Sequence, residues 1–307
     1  MPHQSKPSVV TIGVFDGVHA GHKHLISQAK EIAKKSDAVL TVASFHPHPV
    51  SQLRPDNFLG LLTEPNYRTQ LLKQAGADRV EYIQFDELVA AMSPDEFVDA
   101  IVLGQLKANT VVVGQNFRFG NKASGDVETL RILASKFGFD VEVVPLVGDA
   151  QTWSSTRIRN HILTGEVKSA RELLGRPHRL SGLVVHGDHR GREIGYPTAN
   201  LEVKHQLIIP ADGVYSALLI TKNEVLPAAV SIGTNPTFEG VIGRRVEAYA
   251  IDRTDLDLYD QEVDLDFLDF VRPMVAFEGL EALLVEMAKD IDKSRGQISD
   301  FLDTPSH

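Results

Sequence analysis

Cysteine is absent from the 307 residues, so disulfides and thiolate metal centres are excluded, and the composition fits a reducing cytoplasm. No apolar run approaches the roughly 18 residues of a membrane-spanning helix. The opening stretch, MPHQSKPS, is polar and lacks the apolar segment of a signal peptide. Positive charge is in deficit: 31 Lys and Arg stand against 41 Asp and Glu, a net charge of −10. Such a balance repels nucleic acid and anionic membranes, so neither is expected as a partner. An anionic ligand must be held by local positive groups instead. Repeats and low-complexity tracts are also missing. What remains is ordinary globular composition, 43% apolar and 23% charged, at a length that suits two domains.

The two halves differ in periodicity. Residues 9–175 alternate short β-branched runs with helical segments. VVTIGV (9–14), AVLTVASF (38–45), RVEYIQF (79–85), TVVVG (110–114) and DVEVVPL (140–146) read as buried strands. Between them, SPDEFVDAIVLGQL (93–106) is the best marked helix: Ser93 caps it, Pro94 occupies the first turn and Glu96 completes a capping box. The alternation predicts a parallel sheet with helices on both faces, whose ligands sit beyond the carboxyl ends of the strands. From about Arg179 short strands and turns take over: LVVHG, GVYSALLI, LPAAVSIG, RVEAYAID and EVDLDFLDF. Val263, Leu265 and Phe267 alternate with Asp264 and Asp266, the period of a half-buried antiparallel strand. One amphipathic helix over 278–293 closes a small β-barrel. GRPHRLSG (175–182) is the hinge, which divides the chain into 1–176 and 177–307.

TIGVFDGVHAGH (11–22) reads as a strand, a glycine-interrupted loop and a helix start. Gly13, Gly17 and Gly21 let backbone approach a ligand, and helix amides near Gly21 and His22 suit an anion. His19 and His22, three residues apart, both reach one phosphate group. Two imidazoles with helix amides stabilise charge on an α-phosphate during nucleotidyl transfer. The alternatives are a metal cluster of His19, His22, His24, His46 and His48, or polar surface. WSSTRIRNHILTG (153–165) offers a second anion seat: Ser154 or Ser155 caps a helix presenting Thr156, Arg157 and Arg159. An ordinary capped surface helix is the bland reading. In VVVGQNFRFG (111–120), Asn116, Phe117, Arg118 and Phe119 follow a strand, where aromatics either stack a planar ligand or join the core.

The second half carries GDHRGREIGYPTANL (187–201). Thr198 and Asn200 share one face of a strand and offer oxygens suited to Mg²⁺. Gly187, Gly191 and Gly195, with Arg190 and Arg192, read as a basic flap over phosphates. Glu247 lies mid-strand in VEAYAI, either paired structurally or placed to deprotonate a hydroxyl attacking a γ-phosphate.

With these motifs in order, joined by SFHPHP (44–49), LLGRP (173–177), SIGTNPTF (231–238) and DLY (257–259), the chain resembles the prokaryotic bifunctional FAD synthase family, riboflavin kinase joined to FMN adenylyltransferase. The resemblance runs through nearly the whole chain. It implies a Rossmann-like nucleotidyltransferase followed by a six-stranded antiparallel β-barrel with a terminal helix. The substrates implied are riboflavin, FMN and ATP, with Mg²⁺, and FAD and pyrophosphate as final products. Gly13, Phe15, Asp16, Gly17, His19, His22, Asn116, Ser155, Thr156 and Arg159 are then expected at adenylyltransferase ATP. Phe45, Pro47, His48, Pro49 and Phe119 are expected at its flavin. Gly187, Gly195, Thr198 and Asn200 are expected at kinase ATP, the last two at the metal, with Glu247 as base. Asn116 stands where many members carry Asp, and residues 271–280 lack the basic residues frequent between Arg272 and Phe277. Competing readings are a chain with one working module, a flavin carrier without turnover, and a nucleotidyltransferase for another phosphorylated metabolite. Oligomeric state is left open.

Overall fold

The computed structural model describes residues 6–145, 153–187, 195–204, 206–234 and 244–304. Two compact units divide the chain, Met1–Ser155 and Thr156–His307. The first runs β1 (Ser8–Gly13), α1 (Ala20–Lys35), β2 (Val39–His46), α2 (Pro49–Leu53), α3 (Pro65–Gln74), β3 (Arg79–Gln84), α4 (Glu87–Ala91), α5 (Pro94–Phe97), β4 (Thr110–Gly114), α6 (Val127–Phe137) and β5 (Asp140–Val144). Its strands pair in parallel in the order β3-β2-β1-β4-β5. Order reverses between β1 and β4, the point at which doubly wound sheets open a crevice.

Both faces of this sheet are covered, so its strands are apolar at successive positions. Val10, Ile12, Val111 and Val113 pack with Phe97 and Leu130 on one side. Val9, Leu40, Val42 and Val112 pack with Ile26 and Leu72 on the other. The capping box at Ser93 is present, with Glu96 N donating to Ser93 Oγ at 3.3 Å and Ser93 N to Glu96 Oε2 at 2.7 Å. The helix it starts departs from expectation: α5 passes at Val98 into a π-helical stretch, Val98–Gln105. The wider turn brings Leu106 onto the buried face with Ile101 and Val102, where a 3.6-residue period would put Gln105.

The second unit opens with α7 (Ser155–Leu163) and α8 (Val167–Leu174). Six strands follow: β6 (His178–Val185), β7 (Thr198–Val203), β8 (Gly213–Ile220), β9 (Val225–Thr234), β10 (Arg244–Ala250) and β11 (Glu262–Arg272). They close an antiparallel barrel in the order β10-β7-β6-β11-β8-β9. The compact units part ahead of the glycine–proline hinge because α8 packs on the barrel. Val167, Ala170 and Leu174 are buried, and Arg171 donates to the carbonyl of Leu268 at 3.4 Å. The terminal helix, α9 (Leu280–Asp303), extends beyond the expected 293. Ile298 and Phe301 pack with Ile251 and Leu268, and that burial carries the helix past Gly296. No helix among the described residues is long and apolar enough to cross a membrane.

Candidate active sites

A cavity of about 450 Å³ opens at the carboxyl ends of the parallel strands, with Gly13, Phe45, Gly114 and Val144 on its wall. The loop after β1 shapes it. Phe15 (φ 50°), Gly17 (φ 85°) and Val18 (φ 42°) all lie in the left-handed region, which a β-branched residue such as Val18 rarely enters. A Cβ on Gly13 would meet the Phe15 ring at 3.2 Å, so glycine there lets the ring pack without being displaced. The loop delivers His19 to the N-cap of α1, a helix with no acidic residue in its first turn and no side-chain cap. The His19 and His22 rings stack with centroids 3.7 Å apart and planes 20° apart, and Phe15 meets His22 edge-on at 5.2 Å.

His22 is held well below the ordinary imidazole pKa, first by burial, then by repulsion from His19 and Arg68. Its Nδ1 is buried and has no hydrogen-bond partner among the described residues. A helix N-terminus flanked by two stacked imidazoles is a donor array suited to phosphate.

Asn116, Ser155 and Phe45 also line this cavity, together with Phe117, Arg118, His24 and Trp153. Ser155 Oγ donates to the carbonyl of Asp16 at 2.9 Å, which ties Ser155 to the histidine loop. Several expected residues lie elsewhere. The Asp16 carboxylate is buried and turned away from the cavity, accepting from Leu62 N (2.9 Å), Thr63 N (3.0 Å) and Arg68 Nη2 (3.1 Å). Gly17 N donates to Thr63 Oγ1 at 3.1 Å, so both residues hold the loop and are absent from the wall.

Phe119 is buried in the core against Phe97, while Phe117, two residues earlier and stacked on it, reaches the cavity. His48 accepts from Val50 N at 3.1 Å as the N-cap of α2 and packs on Phe58; neither it nor Pro47 nor Pro49 lines the cavity. Thr156 and Arg159 lie on α7 in the second unit, where Arg159 is buried. Trp153 was available to sequence reasoning as the head of WSSTRIR; His24 and Arg118 carried no distinguishing signal.

A second cavity, about 290 Å³, lies on the outer face of the barrel beneath α9 and residues 273–279. Along β10, Val246, Ala248 and Ala250 are buried inside, while Glu247 and Tyr249 share the other face. Register sets their neighbours: Glu247 lies opposite Asn200 on β7 and Ser231 on β9, and Tyr249 opposite Thr198. Thr198, Ser231, Glu247 and Tyr249 line the cavity. Asn200 adjoins them, its side chain lying over Gly187, where a Cβ would approach Asn200 Cγ to 2.7 Å. Gly195 takes φ +87° just ahead of β7. Gly191, Arg190 and Arg192 of the expected flap lie outside the described residues.

The roof is held by a buried ion pair. Arg272 Nε and Nη2 each donate to Asp290 at 2.8 Å, and the guanidinium sits 5.6 Å from the centroid of Phe277. Hydroxyl, amide and carboxylate oxygens on the adjacent strands β7 and β10 match the hard donors that Mg²⁺ takes. Among the described residues no three His, Cys, Asp or Glu cluster as a metal site, so the histidines of the first motif do not form one.

Comparison with known proteins matches the two halves of the chain to two different families. The FAD synthetase family model matches residues 1–157 and the riboflavin kinase model residues 174–298. The bifunctional riboflavin kinase/FMN adenylyltransferase of Listeria monocytogenes is 35% identical over 295 residues, covering 94% of this chain and 91% of that protein. Those of Bacillus subtilis and Escherichia coli K12 are each 33% identical, covering 92% of this chain and 90% of theirs. A solved structure described as a macrolide-efflux protein from Streptococcus pneumoniae superposes with a TM-score of 0.85 at 35% identity, covering 96% of this chain and 95% of its own. With both modules matched in order and nine-tenths of each relative covered, the chain belongs to the bifunctional riboflavin kinase/FMN adenylyltransferase family and makes FAD from riboflavin.

Proposed function

We propose that the two reactions are divided between the two cavities, kinase on the barrel and adenylyl transfer at the sheet. The observation that carries this division is the pairing of β7 with β10, which sets Glu247 opposite Asn200 and beside Thr198, remote in sequence from the stacked His19 and His22. At the barrel, Glu247 takes the proton of the ribityl hydroxyl as its oxygen attacks the γ-phosphorus of ATP. The new O–P bond forms as the bond to the β-phosphate oxygen breaks, and ADP leaves. Thr198 and Asn200 hold Mg²⁺, which when bound neutralises phosphate charge. Gly187 keeps Asn200 in place because no Cβ obstructs it. Gly195 lets the chain turn close to the phosphates.

At the sheet, an FMN phosphate oxygen attacks the α-phosphorus of ATP, and the bond to the β-phosphate oxygen breaks to release pyrophosphate. The nucleophile is already an anion, so no base is needed. His19, His22 and the first-turn amides of α1 donate to the charge that develops on the α-phosphate. Asn116 and Ser155 flank the triphosphate, and Gly13 and Phe15 shape its approach. Phe45 and Phe117 line the flavin side, with Phe117 in the role expected of Phe119. Thr156 and Arg159 remain assigned to the triphosphate on the family resemblance, and Pro47, His48 and Pro49 to the rim of the flavin site. The absence of cysteine supports a cytoplasmic location, and no helix among the described residues is long and apolar enough to cross a membrane.

Incubating the protein with riboflavin and ATP, with Mg²⁺ or with EDTA, tests this reading by chromatography. FMN appears first and FAD later with Mg²⁺, and neither with EDTA. FAD without prior FMN would overturn the order.

A further inference from the structure

Arg68 is completely buried on α3, and the chemistry just described leaves it unused. It occupies the core-facing stripe of that helix with Leu71 and Leu72, where an apolar residue is the ordinary choice. A guanidinium is tolerated there only when its charge is paired and its donors are filled. Both conditions hold. Nε donates to Thr63 Oγ1 (3.2 Å), Nη1 to the carbonyl of Val14 (3.3 Å) and to Ser44 Oγ (3.4 Å), and Nη2 to Asp16 Oδ1 (3.1 Å) and the carbonyl of Thr63 (3.1 Å). One side chain therefore fastens α3, β2, the 61–63 segment and the start of the histidine loop.

That loop needs fastening. Phe15 and Val18 hold left-handed backbone conformations that their side chains disfavour, and such strain persists only where the surroundings over-determine it. The fasteners are the Val14 carbonyl and the Asp16 carboxylate, which bracket Phe15, and the Gly17 amide, which bonds to the same Thr63 hydroxyl that accepts from Arg68. Immediately downstream, His19 stacks on His22.

We propose that Arg68 is a positioning residue for adenylyl transfer: without touching substrate, it locks the loop conformation that stacks His19 on His22 at the start of α1. The proposal rests on assigning that cavity to adenylyl transfer. Its charge acts too, since Arg68 is one of the groups that disfavour a proton on His22. The other titratable or charged groups around the ring are His19 on the loop, His24 on α1 and Arg118 after β4, while Asp16 is committed to Arg68.

Three variants of the full chain test it, each assayed for FMN adenylylation and riboflavin phosphorylation, with circular dichroism for folding. Arg68→Lys keeps the charge and loses the fork. It is expected to lower the kcat of adenylylation about tenfold or more, with the KM for ATP and the kinase rate near wild type and the pH profile unmoved. Asp16→Asn/Arg68→Met removes both charges at similar volume. It is expected to lower kcat about a hundredfold and to move the acidic limb of the adenylylation pH profile upward. His19→Asn separates the two claims. If it leaves adenylylation intact, the cavity assignment fails; if it abolishes adenylylation while both Arg68 variants fold and keep wild-type kcat, the positioning role fails. Loss of thermal stability with kcat and pH profile unchanged also overturns the proposal, because it marks Arg68 as packing alone.

Discussion

The two cavities hold their polar groups in opposite ways. On the barrel, Thr198, Glu247 and Ser231 stand within three adjacent strands, each placed by ladder register. At the sheet, His19 stands at the end of a strained loop that register does not reach, and it is held by buried ties from residues some fifty positions away. A site within strands inherits the rigidity of its sheet. A strand-end site has to be braced from outside, and the brace is spread through the sequence.

The sharpest way to break this comparison is to remove one group from each side. Glu247→Gln keeps shape and loses the base, so FMN formation from riboflavin is expected to fall about 10²–10⁴-fold while conversion of supplied FMN to FAD continues. His22→Asn is the mirror: FAD formation from FMN is expected to fall about 10²-fold or more with riboflavin phosphorylation intact. Separate initial-rate assays on the two substrates check both. Loss of both activities in either variant would refute the division of labour.

The barrel site has a brace of its own, at its roof, where Arg272 and Asp290 bridge β11 and α9. Here a neighbouring helix is fastened over side chains that register has already set. Asp290→Ala removes both hydrogen bonds of a charged pair and leaves the Arg272 guanidinium only Glu286 at 3.8 Å and the Pro273 carbonyl, which costs about 2 kcal/mol. Chemical denaturation should show that loss in the second unit, and the KM for riboflavin should rise more than kcat falls. Unchanged stability would mean that the roof is held by its apolar contacts alone.

The same contrast explains which features were legible in the sequence. Thr198 and Asn200 could be put on one face because strands repeat every two residues, whereas the place of Glu247 beside them follows only from the β7–β10 register. Strand β11 alternates as far as Leu265 and then departs from the expected period, because Asp266 is buried in a pair with Arg179. The parallel sheet and its ligand end followed from buried runs separated by helices. Arg68 was invisible, because NYRTQL reads as a solvated helix face and nothing local says that it meets Asp16. Asp16 read as a ligand group for the same reason: its true partners lie 46 to 52 positions ahead. Phe117 and Phe119 were seen together, yet which one enters the core depends on Phe97, also distant in sequence. The end of α9 was missed because its last turns are held by barrel residues rather than by their own periodicity.

The smallest effects concern pH, and they place the weak side of each unit at opposite ends of the scale. In the barrel, Tyr215 is buried, donates to the carbonyl of Ala211 at 2.6 Å, and has its phenol pushed by burial from 10.0 up to about 12. Above pH 10 the unfolded chain releases a proton that the native barrel keeps. Stability is therefore full below 10 and falls as pH rises towards 12, by about 2–3 kcal/mol at 1.36 kcal/mol per unit. Tyr215→Phe is expected to flatten that decline, read by circular dichroism melts across the range.

At the sheet, His22 has its proton affinity lowered well below the ordinary imidazole value of 6.5, chiefly by burial. Below that pH the unfolded chain takes a proton that the native site refuses, so stability falls as pH falls. The only tryptophan, Trp153, lines the same cavity, and its fluorescence isolates this unit from the barrel. Acid unfolding followed at Trp153 should shift to lower pH in His22→Asn and stay where it is in Tyr215→Phe. If both variants shift it equally, the two units do not titrate separately, and the contrast between a register-held and a loop-held site does not extend to their stability.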